Sequence, residues 1–215
     1  MNLAHTIPVV FVINFLAVNL GAQTVTEQVP IVRLHTSSGS KLTVRGGFAA
    51  GQWKAETAIV SGFIEADSRF PSLQESLRIA KVEVFVPVRS LQSFGQSWEP
   101  YNEQINAVIY KELRADEHPK IFFKLSELVA RAAHSRDSPS IMLESRGELA
   151  IGGVTNSVAI PVKIMALPAG GLKICGGTKI RMSDFKLCER TLVGVNLFDT
   201  VCVDFEWCVA QPKKK

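Results

Sequence analysis

The chain is poor in the side chains that most enzymes use. Its four histidines, His5, His35, His118 and His134, stand well apart along 215 residues. No HExxH, G-x-S-x-G or G-x-G-x-x-G element occurs, so the zinc-hydrolase, serine-hydrolase and dinucleotide-binding signatures are missing. The four cysteines, Cys175, Cys188, Cys202 and Cys208, form no CxxC pair, and no CxxH pair occurs either, which leaves structural zinc without its usual ligand spacing. Positive charge is also thin. There are 24 basic and 20 acidic residues for a net charge of +4, and the only basic run is Lys213-Lys214-Lys215. Nucleic-acid binders concentrate basic residues on one face or stripe, and none is legible here. No apolar run reaches the roughly 20 residues of a membrane-spanning helix. What remains is the composition of an ordinary globular domain, with 47% hydrophobic and 20% charged residues. That excludes a disordered polymer, a collagen-like rod and a polytopic membrane protein.

The N-terminal residues read as a processing signal. Ile7 to Leu20 is an apolar run of 14 residues broken by Pro8, Asn14 and Asn19. It is short for a span and suited to a secretory h-region, with Gly21-Ala22 as small residues for cleavage. A retained anchor and a buried strand or helix are the alternatives. No cysteine follows the cleavage point, so a lipid anchor there is not expected. The expected organisation is a signal peptide over 1–22, a lead-in over 23–37, one β-domain over 38–210 and a basic tail over 211–215.

From residue 40 onward, period-2 alternation dominates. Val82, Val84, Val86 and Val88 share one face opposite Lys81, Glu83 and Arg89. Ile121, Phe123 and Leu125 alternate with Lys120, Phe122 and Lys124. Gly147, Leu149 and Ile151 follow, then Val158, Ile160, Val162 and Ile164. Ile174, Ile180 and Met182 share a parity, and Val201, Val203, Phe205, Trp207 and Val209 alternate with Cys202, Asp204, Glu206 and Cys208. One apolar and one polar face is the mark of antiparallel strands with one side buried. Glycine pairs at 46–47, 152–153, 170–171 and 176–177 read as turns, the last alternatively as a bulge within a strand. One stretch breaks the pattern. Tyr101 to Ala115 spaces Ile105, Val108, Ile109 and Leu113 at helical intervals, and Asp116 to Pro119 ends it. Residues 131–140 read as an exposed loop. The sum is an all-β sandwich or up-and-down barrel with one short helix. A barrel of about eight strands either fills its interior with side chains or holds one small ligand.

Several segments resemble one family in order and spacing. Ser40 to Gly46 is similar to its opening strand, Val60 to Ile64 to its second, and Val84 to Leu91 to its third. Leu113 to Phe123, with Pro119-Lys120-Ile121-Phe122-Phe123, resembles its "Pro, any, Ile, any, Phe" strand entry. Gly147-Glu148-Leu149 through Gly152-Gly153-Val154-Thr155, with Pro161-Val162, resembles its central hairpin. Met182-Ser183-Asp184-Phe185 and Asp199 to Phe205 complete the likeness, over about residues 38 to 209. The family is the YceI-like, lipocalin-type, polyisoprenoid-binding proteins. Lys186 stands where many members carry Gly, and Cys188-Glu189-Arg190 replaces a commonly proline-containing stretch.

The resemblance implies an extended antiparallel eight-stranded lipocalin-like barrel whose apolar tunnel holds an isoprenoid or other amphiphilic chain. It also implies a protein exported to the periplasm or secreted, with no catalytic role. Combined with the alternation, it selects an inward face of Val84, Val86, Phe123, Leu149, Ile151, Val162, Ile164, Ile180, Met182, Val203 and Phe205. Asp184 and Phe185 are added near the tunnel mouth, where Asp184 either organises a turn or meets a ligand head group. Phe94, Trp98, Tyr101 and Trp53 fall on or near expected loops, as a rim for a lipid tail or as helix packing. No cofactor and no metal is expected. The expected partner is an amphiphilic lipid or isoprenoid quinone-like molecule, with transient membrane contact and a homodimer also in view. An enzyme acting on a bound lipid through Asp184, His118 or a cysteine is the competing reading, and a filled barrel acting through its outer surface is a third. If the strands that hold Cys175 and Cys208 pair, these two could face each other as a disulfide on the outer surface. Free thiols are the alternative.

Overall fold

Alternation of this kind leaves the backbone one way to bury its apolar set, and the computed structural model shows it taken. The structure describes residues 30–49, 51–68, 79–93, 102–130, 140–167, 170–187, 191–192 and 195–212. The signal reading, the lysine tail, the loop over 131–139, Cys188, Phe94, Trp98 and Tyr101 lie outside them. The strands are β1 (Ile31–Thr36), β2 (Lys41–Phe48), β3 (Gly51–Thr57), β4 (Ser61–Asp67), β5 (Ile79–Pro87), β6 (Gln92–Ser93), β7 (Lys120–Ala130) and β8 (Ser140–Ile151). They continue with β9 (Val154–Ala166), β10 (Leu172–Arg181), β11 (Thr191–Leu192), β12 (Val195–Asn196) and β13 (Thr200–Ala210). One helix, α1, spans Asn102–Glu112, inside the segment expected to be helical.

Eight antiparallel strands close into a ring in the order β1-β4-β5-β7-β8-β9-β10-β13. Closure returns to β1 through the pairs His35–Ala210 and Thr36–Val209. Inside the ring, the Trp207 indole N–H donates to Thr36 Oγ1 at 2.8 Å. The strand that closes the barrel therefore lies in the segment read as a lead-in, and the barrel begins at residue 31 rather than 38. The ring also forks. Beyond the β1 contact, the same edge of β13 pairs with β2 over Cys202–Glu206, and β3 and the short β6 continue outward from β2. The turn between β1 and β2 rests on β13 at the fork. Ser37 N–H donates to the Cys208 carbonyl at 2.8 Å, and Ser40 Oγ accepts the Cys208 N–H at 3.1 Å.

The parity read from the sequence holds along most of this ring. Ile141, Leu143, Ser145, Gly147, Leu149 and Ile151 are all buried on β8. Val162 and Ile164 lie opposite Leu143 and Ile141 in register. On β7 the register slips between Leu125 and Glu127. A bulge there adds one residue and carries Leu128 inward in place of Glu127. The β8–β9 connection is the two-residue turn Gly152-Gly153, with φ of +54° and +83°. Two successive positive φ values suit glycine, and they give the twist that a tight hairpin needs. Two glycine pairs differ from expectation. Gly46-Gly47 and Gly176-Gly177 lie inside β2 and β10, and the β10–β13 register runs unbroken through the second pair. They make room for aromatic rings. A Cβ on Gly46 would stand 2.3 Å from the Trp53 indole, and one on Gly176 would stand 2.7 Å from the Phe205 ring.

Helix α1 lies at the end of the barrel where β5 finishes and β7 begins. Asn106 Oδ1 accepts the Ser93 N–H at 2.7 Å, and the Tyr110 hydroxyl donates to the Leu91 carbonyl at 2.9 Å. Ile105 is 3% exposed. Past the helix, Arg114 takes a positive φ and its guanidinium donates to the Gly152 carbonyl at 3.1 Å, tying the helix exit to the β8–β9 turn.

A candidate ligand cavity

Inward side chains need not meet in the middle, and in this barrel they do not. The interior holds a cavity of about 270 Å³ whose wall is almost wholly aliphatic and aromatic. For comparison, a single water needs only about 10–15 Å³ of such space. The β5 and β7 wall contributes Val84, Val86 and Phe123, and β8 contributes Leu149 and Ile151. From β9 come Val162 and Ile164, from β10 Ile180, and from β13 Val203 and Phe205. Met182 also lines the cavity, although β10 stops at Arg181 and Met182 opens the short 3₁₀ turn Met182–Phe185.

Asp184 and Phe185 are placed elsewhere. The Asp184 carboxylate accepts from the Arg181 guanidinium, with Nε at 3.1 Å and Nη2 at 3.0 Å, on an exposed surface. Its backbone carbonyl accepts from Asn156 Nδ2 at 2.8 Å. Asp184 thus organises the turn and is not among the residues lining the cavity. Phe185 is 2% exposed and packs with Leu149 and Ile151 in a second apolar cluster, behind the wall. Lys186 adopts φ 54° and ψ 32° as the cap of this turn. The left-handed region is costless for glycine and mildly strained for lysine.

Other candidates separate in the same way. His118 packs against the β8–β9 turn, its Nε2 2.3 Å from where a Cβ on Gly153 would stand. Cys175 pairs in register with Glu206, and Cys208 with Lys173. The two cysteines are therefore diagonal on the outer face and not opposite each other. Diagonal neighbours stand about 7–8 Å apart, beyond the Cα separation that a disulfide spans. Cys175, Cys202 and Cys208 are free thiols, and burial holds the Cys175 thiol above its ordinary pKa.

Sequence reasoning misses part of the wall. Trp53, expected on a loop, lies on β3, over Gly46 and against the cavity, and its indole nitrogen is buried with no hydrogen-bond partner. Leu42 and Val44 on β2 join it. So does Glu112 in the last turn of α1, on the same helical face as Val108 and Ile109. The helical spacing that marks Val108 and Ile109 already includes Glu112, but apolar patterning does not register a carboxylate.

A closed antiparallel barrel around an apolar cavity, with one helix at its end, defines a lipocalin-like binding fold. Comparison with known proteins narrows the class. The YceI-like domain model matches residues 30–208, and the chain belongs to the YceI-like family. No curated protein matches it. Among solved structures, BcnA of Burkholderia cenocepacia is 20% identical, with a TM-score of 0.56 over 80% of this chain and 96% of its own. A polyisoprenoid binding domain from Saccharophagus degradans, implicated in plant cell wall breakdown, is 12% identical, with a TM-score of 0.62 over 85% of this chain and 100% of its own. The Campylobacter jejuni YCEI protein is 17% identical, with a TM-score of 0.50 over 79% and 85%. At these identities the likeness shows the fold.

Proposed function

We propose that this protein is an exported, non-catalytic carrier that holds an isoprenoid or other amphiphilic lipid chain in its barrel. The observation that carries this reading is the cavity of about 270 Å³ lined almost wholly by apolar side chains from both halves of the ring. Apolar burial of about 25 cal/mol per Å² supplies the affinity before ordering costs are subtracted. Selectivity within the wall is then for chain length and shape. The polyisoprenoid binding domain from Saccharophagus degradans, which shares the fold, supports the ligand class, and the N-terminal signal reading supports export to the periplasm or beyond. The catalytic alternative has little support in the geometry. Asp184 is held by Arg181, and His118 sits against a turn, so neither faces the lumen.

Native mass spectrometry of the secreted protein, followed by organic extraction, tests the proposal. A stoichiometric prenyl or fatty chain is expected. A spectrum that stays empty after incubation with polyprenyl and fatty lipids would overturn it in favour of a barrel acting through its surface.

A further inference from the structure

Free space is unevenly distributed along the barrel. β9 leaves the helix end at the Gly152-Gly153 turn, β10 returns to it at Arg181, and β13 leaves it again at Thr200. On these strands Ile180, Thr178, Val203 and Phe205 are half-buried and line the cavity. Farther from the helix, Trp207 stands in register with Ile174, Ile174 with Ile164 and Ile164 with Ile141, and all four are buried. Trp207, Ile174 and Ile164 still line the cavity. The next inward pair, Leu172 and Val209, is 1% and 0% exposed and lies outside the lining, as do Leu34 and Ile141. The cavity therefore ends against Trp207, Ile174 and Ile164, with packed core behind them.

Trp207 is fixed in this position. Its indole N–H donates to Thr36 Oγ1 at 2.8 Å, and that hydroxyl donates to the Gly62 carbonyl at 3.4 Å. The bond uses the one polar atom of the side chain, so what Trp207 offers the cavity is hydrocarbon. Ile174 and Ile164 add nothing polar. A head group brought to this end gives up its water and finds no partner, whereas the terminal carbons of an apolar chain gain by leaving water.

We propose that Trp207 is the floor of the cavity, meets the tail end of the bound chain and sets the longest hydrocarbon that the barrel takes in. The inference rests on the carrier reading and gives its length selectivity a residue. Each isoprene unit that enters the lumen removes apolar surface from water and raises affinity. Once the chain reaches Trp207, an added unit has no space, because a core packed this closely yields only by displacing its side chains. That unit stays in water and adds nothing.

Prenyl alcohols of two to six isoprene units share one head and differ only in length. Native mass spectrometry of the delipidated protein with each alcohol reads the affinities. For the wild type, affinity is expected to rise at least about tenfold per unit and then to level off, further units changing it less than about twofold. Trp207→Leu vacates roughly the space of one unit and should move the break one unit longer. Ile174→Phe fills space beside the floor and should move it one unit shorter. A damaged fold would weaken every length alike and leave the break in place. Far-UV circular dichroism identifies the folded variants. If Trp207→Leu does not fold, Trp207→Phe, which keeps a ring in the site, replaces it, with a smaller shift in the same direction. Affinity that climbs through the whole series without a break overturns the inference and leaves the carrier intact, as does a break that no folded variant moves. Failure of every alcohol to bind the wild type overturns the carrier reading itself.

Discussion

Val203→Phe distinguishes a lumen from a filled core. Val203 lies between Thr178 on β10 and Val44 on β2, and all three side chains line the cavity. It is only partly buried although its parity points inward, because free space lies on its open side. Phenylalanine carries roughly four more carbons, and at about 0.8 kcal/mol per buried methylene their transfer into the lumen is worth up to about 3 kcal/mol. Crowding against Thr178 and Val44 offsets about 1–3 kcal/mol of that. The empty variant should therefore stay within about 2 kcal/mol of wild type, read as the urea midpoint at constant m-value. A long prenyl alcohol loses the space for a similar number of carbons, so its affinity should fall on the order of 100-fold. The two readouts move independently, which a merely damaged fold would not do. A loss of more than about 3 kcal/mol with affinity unchanged would refute the reasoning, because it would show that Val203 borders a packed core and not the ligand.

Other residues give further tests. Phe123→Asp places a carboxylate in the wall between the two apolar clusters and should abolish lipid binding; retained binding in a variant with native far-UV circular dichroism would remove Phe123 from the lining. Burial opposes ionisation of Glu56, but hydrogen bonds from Lys54, Lys41 and Thr43 outweigh it and hold the carboxyl below its usual pKa. A depressed folded-state pKa gives stability that is present above the unfolded value, about 4.3, and is lost as pH falls through the folded one. Glu56→Gln should therefore flatten the acid limb of the stability profile below about pH 5, measured by urea midpoints, and an unchanged limb would count against the network. Peptide mapping under non-reducing conditions should find no Cys175–Cys208 crosslink, and Cys175, with its raised pKa, should alkylate slowly at neutral pH. A crosslinked peptide would contradict the β10–β13 register.

Local periodicities are legible in the chain by itself. Parity along β8, β9 and β13 is a property of neighbouring residues, since successive side chains in a strand point to opposite faces. With the runs on β5 and β7 and the one from β10 to Met182, it places eleven inward residues, from Val84 to Phe205, that the fold brings to one cavity. The helix and the Gly152-Gly153 turn are equally local, the first in its spacing and the second in its need for positive φ. Residues 31–36 carry the same alternation, with Val32 and Leu34 opposite Arg33 and His35, but too briefly to stand out.

The remainder is decided by pairing between distant segments. The closing role of β1 depends on His35 and Thr36 meeting Ala210 and Val209 at the other end of the domain. The placing of Cys175 opposite Glu206, two residues from where a disulfide to Cys208 needs it, depends on a register that either strand alone leaves open. Asp184 is turned outward by Arg181, and Trp53 is turned inward by the absence of a side chain at Gly46 across the ladder. Glu112 reaches the cavity wall only when α1 is laid against the barrel. A strand's period says which face a residue takes. Which strand lies beside it, in what register, and how much space is left between opposing walls are set by closure of the whole ring, and the size and charge of the lumen follow from that closure.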